Sequence, residues 1–152
     1  MTKTAQILIG ITALVTGSLV YFTDRPGESV MFISHFVPEA SLYQKIPPLF
    51  GLFGQSLPGF AHTFSFSLIT AVFFKYSKMT CINICLFWFT INCLFESGQK
   101  YSSIVIKLSP ASPLNSFFTN GTFDPFDILA FAAGSLTAYA LLVTTEKKES
   151  TV

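Results

Sequence analysis

Six polar side chains stand out against an apolar chain: His62, Asn92, Glu96, Gln99, Asp124 and Asp127. A carboxylate beside a histidine can serve as general acid and base, and the same groups can hold a divalent metal. Without either, carboxylates, an imidazole and two amides make a hydrogen-bonding site for a polar headgroup. Spacing already groups some of them. Asn92, Glu96 and Gln99 are four and three residues apart and share a helix face. Asp124-Pro125 followed by Asp127 has the form of a helix start: an Asp accepts from the free backbone N–H groups, Pro suits the first position, and a second Asp favours the positive end of the dipole. From Ile128 to Val143 there is no charge. Two carboxylates therefore stand where an apolar helix begins.

No motif of a known enzyme class accompanies them. The chain lacks His-Glu-x-x-His, Gly-x-Ser-x-Gly and a glycine-rich phosphate loop. No catalytic residue, metal or cofactor is expected, and catalysis is the least supported reading.

The elements that must carry these residues follow from composition. In 152 residues the apolar share is 51%, charged residues are 11% and mean hydropathy is +0.57. Soluble domains carry roughly a quarter charged residues, so this chain has too few polar groups to cover a soluble globule. It reads as a polytopic, all-α membrane protein. Net charge is +1, which offers no field for nucleic acid. Cys81, Cys85 and Cys93 are odd in number, form no Cys-x-x-Cys pair and read as buried apolar groups.

Taken in order, the chain is a single domain, 1–152, with four spans at about 5–22, 57–74, 79–96 and 126–143. The first run is read as a span rather than a cleaved signal. Gly10, Ala13 and Gly17 give it a small-residue face, and Ala130, Gly134 and Ala138 give one to the last span. Residues 23–56 hold four prolines and short apolar pieces such as Ser29–Phe36, too short to cross and too apolar for water. They predict an interfacial or re-entrant segment, with His35 at headgroup level. Residues 101–120 resemble that loop, broken at Pro110 and Pro113, with Phe117 and Phe118 able to lie in the interface.

Four spans place both termini on one side, with Lys3, Lys75, Lys78, Lys147 and Lys148; the other side holds Arg25, Lys45, Lys100 and Lys107. The short Lys75–Lys78 turn decides the orientation, because the positive-inside rule weighs short loops. Both termini are expected in the cytoplasm. His62, Glu96, Gln99, Asp124 and Asp127 then reach one depth near the outer surface. Ionisable groups there are costly unless they pair or line a wet cavity.

A His opening one span, Glu96-x-x-Gln99 closing the next, and Phe123-Asp124-x-x-Asp127 with Ala130 and Gly134 opening the last resemble the VanZ-like family of small bacterial membrane proteins, named for a member associated with teicoplanin resistance. The similarity covers about the last hundred residues. Gly121 stands where that family commonly has an Arg, Phe131 where it often has an Asn, and Pro58-Gly59 where it often has Asp-Lys. The resemblance implies a bacterial inner-membrane, cell-envelope protein whose outer-leaflet pocket takes a lipid or lipid-linked precursor headgroup. The alternative is an accessory subunit of a larger membrane complex, favoured by the small-residue faces and the phenylalanine-rich surface.

Overall fold

The computed structural model describes residues 2–26, 41–108 and 115–149. The piece Ser29–Phe36, expected to be interfacial or re-entrant, with His35, and the Pro110–Pro113 break lie outside them. Among the described residues are six α-helices: α1 Lys3–Thr23, α2 Leu57–Ala71, α3 Lys78–Lys100, α4 Ser102–Leu108, α5 Asn115–Asn120 and α6 Pro125–Glu149, with a 3-10 turn at Gly51–Gly54 before α2. Among the described residues there is no strand, only an isolated bridge between Tyr43 and Ile46.

Among the described residues, three helices are long and apolar enough to cross a membrane: Lys3–Thr23, Lys78–Lys100 and Pro125–Thr144. The second expected span, 57–74, is helical only to Ala71 and has 15 residues. Val72, Phe73 and Phe74 then bond back three residues, to Ile69, Thr70 and Ala71, so the helix tightens and ends. The third span runs past its expected end at 96. Ser97-Gly98 does not break it, and it closes at Tyr101. Glu96 and Gln99 are thus inside the helix. The last helix also continues beyond Val143 through Glu146-Lys147-Lys148-Glu149, all good helix formers.

Small residues set how the long helices meet α2. A Cβ on Gly17 would lie 2.6 Å from that of Ala61, one on Gly10 would lie 3.3 Å from the Ser65 carbonyl, and one on Gly134 would lie 2.5 Å from the Phe60 carbonyl. Close backbone approach of this kind is how apolar helices gain contact where no water drives them together. The pairings also fix direction. Gly17 meets Ala61 and Gln6 Nε2 donates to the Leu68 carbonyl at 2.7 Å, so α1 and α2 are antiparallel. Gly59 faces Phe131 and Gly134 faces Phe60, so α2 and α6 run the same way. Ser135 Oγ donates to the Cys85 carbonyl, while Glu96 meets Asp124, so α3 and α6 are antiparallel.

Polarity is inverted relative to a soluble bundle. Thr63, Ser65 and Ser67 on α2 are fully buried, as are Gln6, Glu96 and Ser135 to within a few per cent. Leu8, Val15, Leu19, Phe87, Leu94, Phe126, Leu129 and Leu136 face outward. Hydroxyls inside and hydrocarbon outside are the pattern of helices whose solvent is lipid. The packed apolar core (Phe64, Leu68, Cys81, Cys85, Ala138 and Leu142) lies where α2, α3 and α6 meet. None of the three cysteines is in a disulfide, and Cys81 and Cys85 are buried.

Candidate functional site

The ends of α1 and α3 and the starts of α2 and α6 lie together at one end of the bundle. Asp124 starts α6 as its position predicts: its Oδ1 accepts from the Phe126 N–H at 2.9 Å, and its carbonyl accepts from the Asp127 N–H at 3.0 Å. Its own N–H donates to Glu96 Oε1 at 2.6 Å. A carboxylate from α3 thus satisfies a backbone donor at the head of α6, and Glu96 is 5% exposed. This short, charge-assisted bond joins two of the expected site residues across 28 positions of sequence.

Asp127 stands next to this pair. Its Oδ1 is buried and has no hydrogen-bond partner, while the Ser56 side chain, just before α2, stands beside its carboxyl. The charges of Glu96, Asp124 and Asp127 act on one another. The chain's single arginine, Arg25, opposes them from the end of α1; its charge acts on Glu96, Asp127 and Tyr21. Its guanidinium donates to the Gln55 carbonyl and lies 5.3 Å from the centre of the Tyr21 ring. A cation is therefore present at this end of the bundle, although Gly121 precedes the Phe-Asp motif.

The other expected residues sit less centrally. The His62 ring is 6.4 Å from the ring of Tyr21 and stacks on Phe66 at 5.9 Å. It forms no hydrogen bond with the described residues. Tyr21 thus links His62 to Arg25. Asn92 turns back on its own helix, donating to the Trp88 carbonyl at 2.7 Å. The Gln99 amide packs on Gly121, where a Cβ would come within 2.5 Å of it. Lys100 is drawn over the rings of Phe123, at 5.0 Å, and Tyr101, at 5.8 Å. Behind α3, Phe95 packs against Phe117 and Phe118, each at 5.9 Å, which seats α5 on the bundle.

Arg25, Tyr21 and Ser56 did not emerge from motif reasoning. Tyr21 and Arg25 had a readable signal: they are four residues apart at the end of an apolar helix, on the side where topology places the acids. Ser56 had none. Among the described residues, no three His, Cys, Asp or Glu side chains come together as metal ligands would. The arrangement can accept hydrogen bonds at Asp127, and it can balance an anionic group at Arg25.

Fold and site define an all-helical protein with three helices of membrane-crossing length among the described residues and, at one end, a carboxylate cluster in which Glu96 is buried and Asp124 and Asp127 are half-buried. No protein-family model matches the chain, and no curated protein or solved structure is significantly similar to it.

Proposed function

We propose that the chain is a non-enzymatic cell-envelope membrane protein that holds a lipid or lipid-linked precursor headgroup between Arg25, Glu96 and Asp127. It crosses the bacterial inner membrane four times, with both termini in the cytoplasm, and is a divergent relative of the VanZ-like proteins. The observation that carries the reading is Asp127 Oδ1, a buried acceptor with no partner of its own, on a half-buried carboxyl that Ser56 also reaches and on which the charge of Arg25 acts, near the buried Glu96. An unpaired buried acceptor is unfavourable by about 1–3 kcal/mol, and a headgroup amine or hydroxyl would relieve that. Arg25 suits the phosphate such a headgroup carries. The accessory-subunit alternative loses part of its support, because the small-residue faces of α1 and α6 are occupied by α2.

The test is native mass spectrometry of protein extracted from membranes in mild detergent. Wild type is expected to retain one lipid-derived molecule. Asp127→Asn and Glu96→Gln, which keep size and fold, are expected to lose it, with helix content by circular dichroism unchanged. Full retention by both variants, or a stoichiometric protein partner with no lipid, defeats the proposal.

A further inference from the structure

At the opposite end, α2 and α3 part around an open groove of about 390 Å³ lined by Thr70, Phe74, Thr80, Asn83, Ile84 and Phe87. Its wall is fixed: Trp88 Nε1 donates to Thr70 Oγ1 at 2.9 Å, and the Thr80 hydroxyl shares a hydrogen with Ser77 at 2.7 Å. Both threonines are thereby partnered. Asn83 is not. Its side chain is exposed on an apolar helix and makes no hydrogen bond with the described residues. A bare amide facing lipid is costly unless something polar meets it.

The mouth of the groove is basic. Lys75 follows Phe74 and Lys78 precedes Thr80 by two residues, and both are exposed. Asn83 lies five residues into α3 from Lys78, a drop of about 7 Å at the helical rise. That is roughly the thickness of one headgroup layer, given about 30 Å of hydrocarbon within a bilayer of about 40–45 Å. Ile84 and Phe87 continue deeper. From surface to interior the groove thus presents two ammonium groups, one amide and an apolar floor. A glycerophospholipid has the same order: phosphate, ester carbonyls, acyl chain.

We infer that the α2–α3 groove is a binding site for an anionic glycerophospholipid, with its phosphate on Lys75 and Lys78, an ester carbonyl on the Asn83 amide, and an acyl chain along Ile84 and Phe87. Net negative headgroup charge is specified by the two lysines, which no carboxylate of the Lys75–Lys78 turn or of the groove lining neutralises. The site is separate from the carboxylate cluster and does not depend on its role.

The experiment measures lipid binding to full-length protein by native mass spectrometry, titrating phosphatidylglycerol and phosphatidylcholine separately. Each basic residue near a charged surface is worth about fivefold in affinity. Wild type is expected to prefer phosphatidylglycerol by tens of fold. The double variant Lys75→Gln/Lys78→Gln is expected to bind both lipids alike. Asn83→Leu is expected to weaken both by about fivefold and keep the preference, since one hydrogen bond is lost and no charge. Equal affinity of wild type for the two lipids overturns the inference. So does a preference that survives loss of both lysines, or a dimer that buries the groove, seen as disulfide formation by Phe87→Cys.

Discussion

At the scale of single residues, the charged groups at this end of the bundle are held by backbone donors as much as by each other. Asp24 illustrates this outside the apolar helices. It accepts from the Thr23 hydroxyl at 2.6 Å and from the Leu49 and Phe50 N–H groups at 3.0 and 2.9 Å, pinning the segment before α2 to the end of α1. The Thr23 hydroxyl, with the Phe50, Leu49 and Gly51 amides, holds its carboxyl below the ordinary value of 3.8. A lowered folded value means the clamp's contribution is fully present above 3.8 and is lost as pH falls through the lowered value. The Leu49 and Phe50 amide resonances are therefore expected to titrate with a midpoint below 3.8, and to be flat in Asp24→Asn. A midpoint at or above 3.8 would mean that the clamp does not favour the ionised form. Glu96 and Asp124 were legible in sequence because their types and helix positions are local facts. That the charge of Arg25, at the end of α1, acts on Asp127 in α6 is a tertiary fact, and Gly121 drew attention to a missing cation that the end of another helix supplies.

At the scale of elements, α2 organises the fold although it is the shortest of the four bundle helices. Apolar runs identified α1, α3 and α6, since length and hydropathy are written into each stretch. The ends were less readable: Ser97-Gly98 looks like a stop, yet Gly98 continues α3 with the Phe118 ring packed on it. The burial of Thr63, Ser65 and Ser67 was hidden as well, because a polar stripe gives no sign of whether water or helices cover it. Tight contact with α2 makes Gly134 sensitive. A methyl there would come within 2.5 Å of the Phe60 carbonyl and 3.2 Å of the Phe64 nitrogen, both backbone atoms that cannot swing aside. Gly134→Ala is expected to cost about 1–3 kcal/mol through overpacking, read as a lower midpoint in sodium dodecyl sulfate unfolding. Ala133→Gly, at an exposed position on the same helix, is expected to cost no more than about 1 kcal/mol, the helix-propensity difference. Equal midpoints for Gly134→Ala and wild type would show that α2 and α6 separate freely.

For the whole molecule, the directions of the helices constrain how the chain passes through a membrane. The pairings make α1 antiparallel to α2, α2 parallel to α6 and α6 antiparallel to α3, so α1 and α3 point the same way. If α1 and α3 cross in one direction the chain must return between them, and in the four-crossing proposal α2 makes that return. Its 15 residues rise about 22 Å, short of roughly 30 Å of hydrocarbon. For α2 to cross, the Gly51–Gly54 turn and the tightened Val72–Phe74 segment would have to make up the remainder. Non-helical backbone at such depth is tolerated where protein shields it; Gly54 and Val72 are buried, whereas Gly51, Phe53, Phe73 and Phe74 are exposed. The proposed four crossings would put Thr122 and Ser77 on opposite faces. In a Cys93→Ser background, with Cys81 and Cys85 buried, Thr122→Cys is expected to react with an impermeant thiol reagent added to intact cells, and Ser77→Cys only after lysis. The reverse pattern would invert the orientation and move the carboxylate cluster to the cytoplasmic face. Labelling of both from one side would make α2 a hairpin limb rather than a crossing, and would break the geometric basis for a pocket at the outer surface.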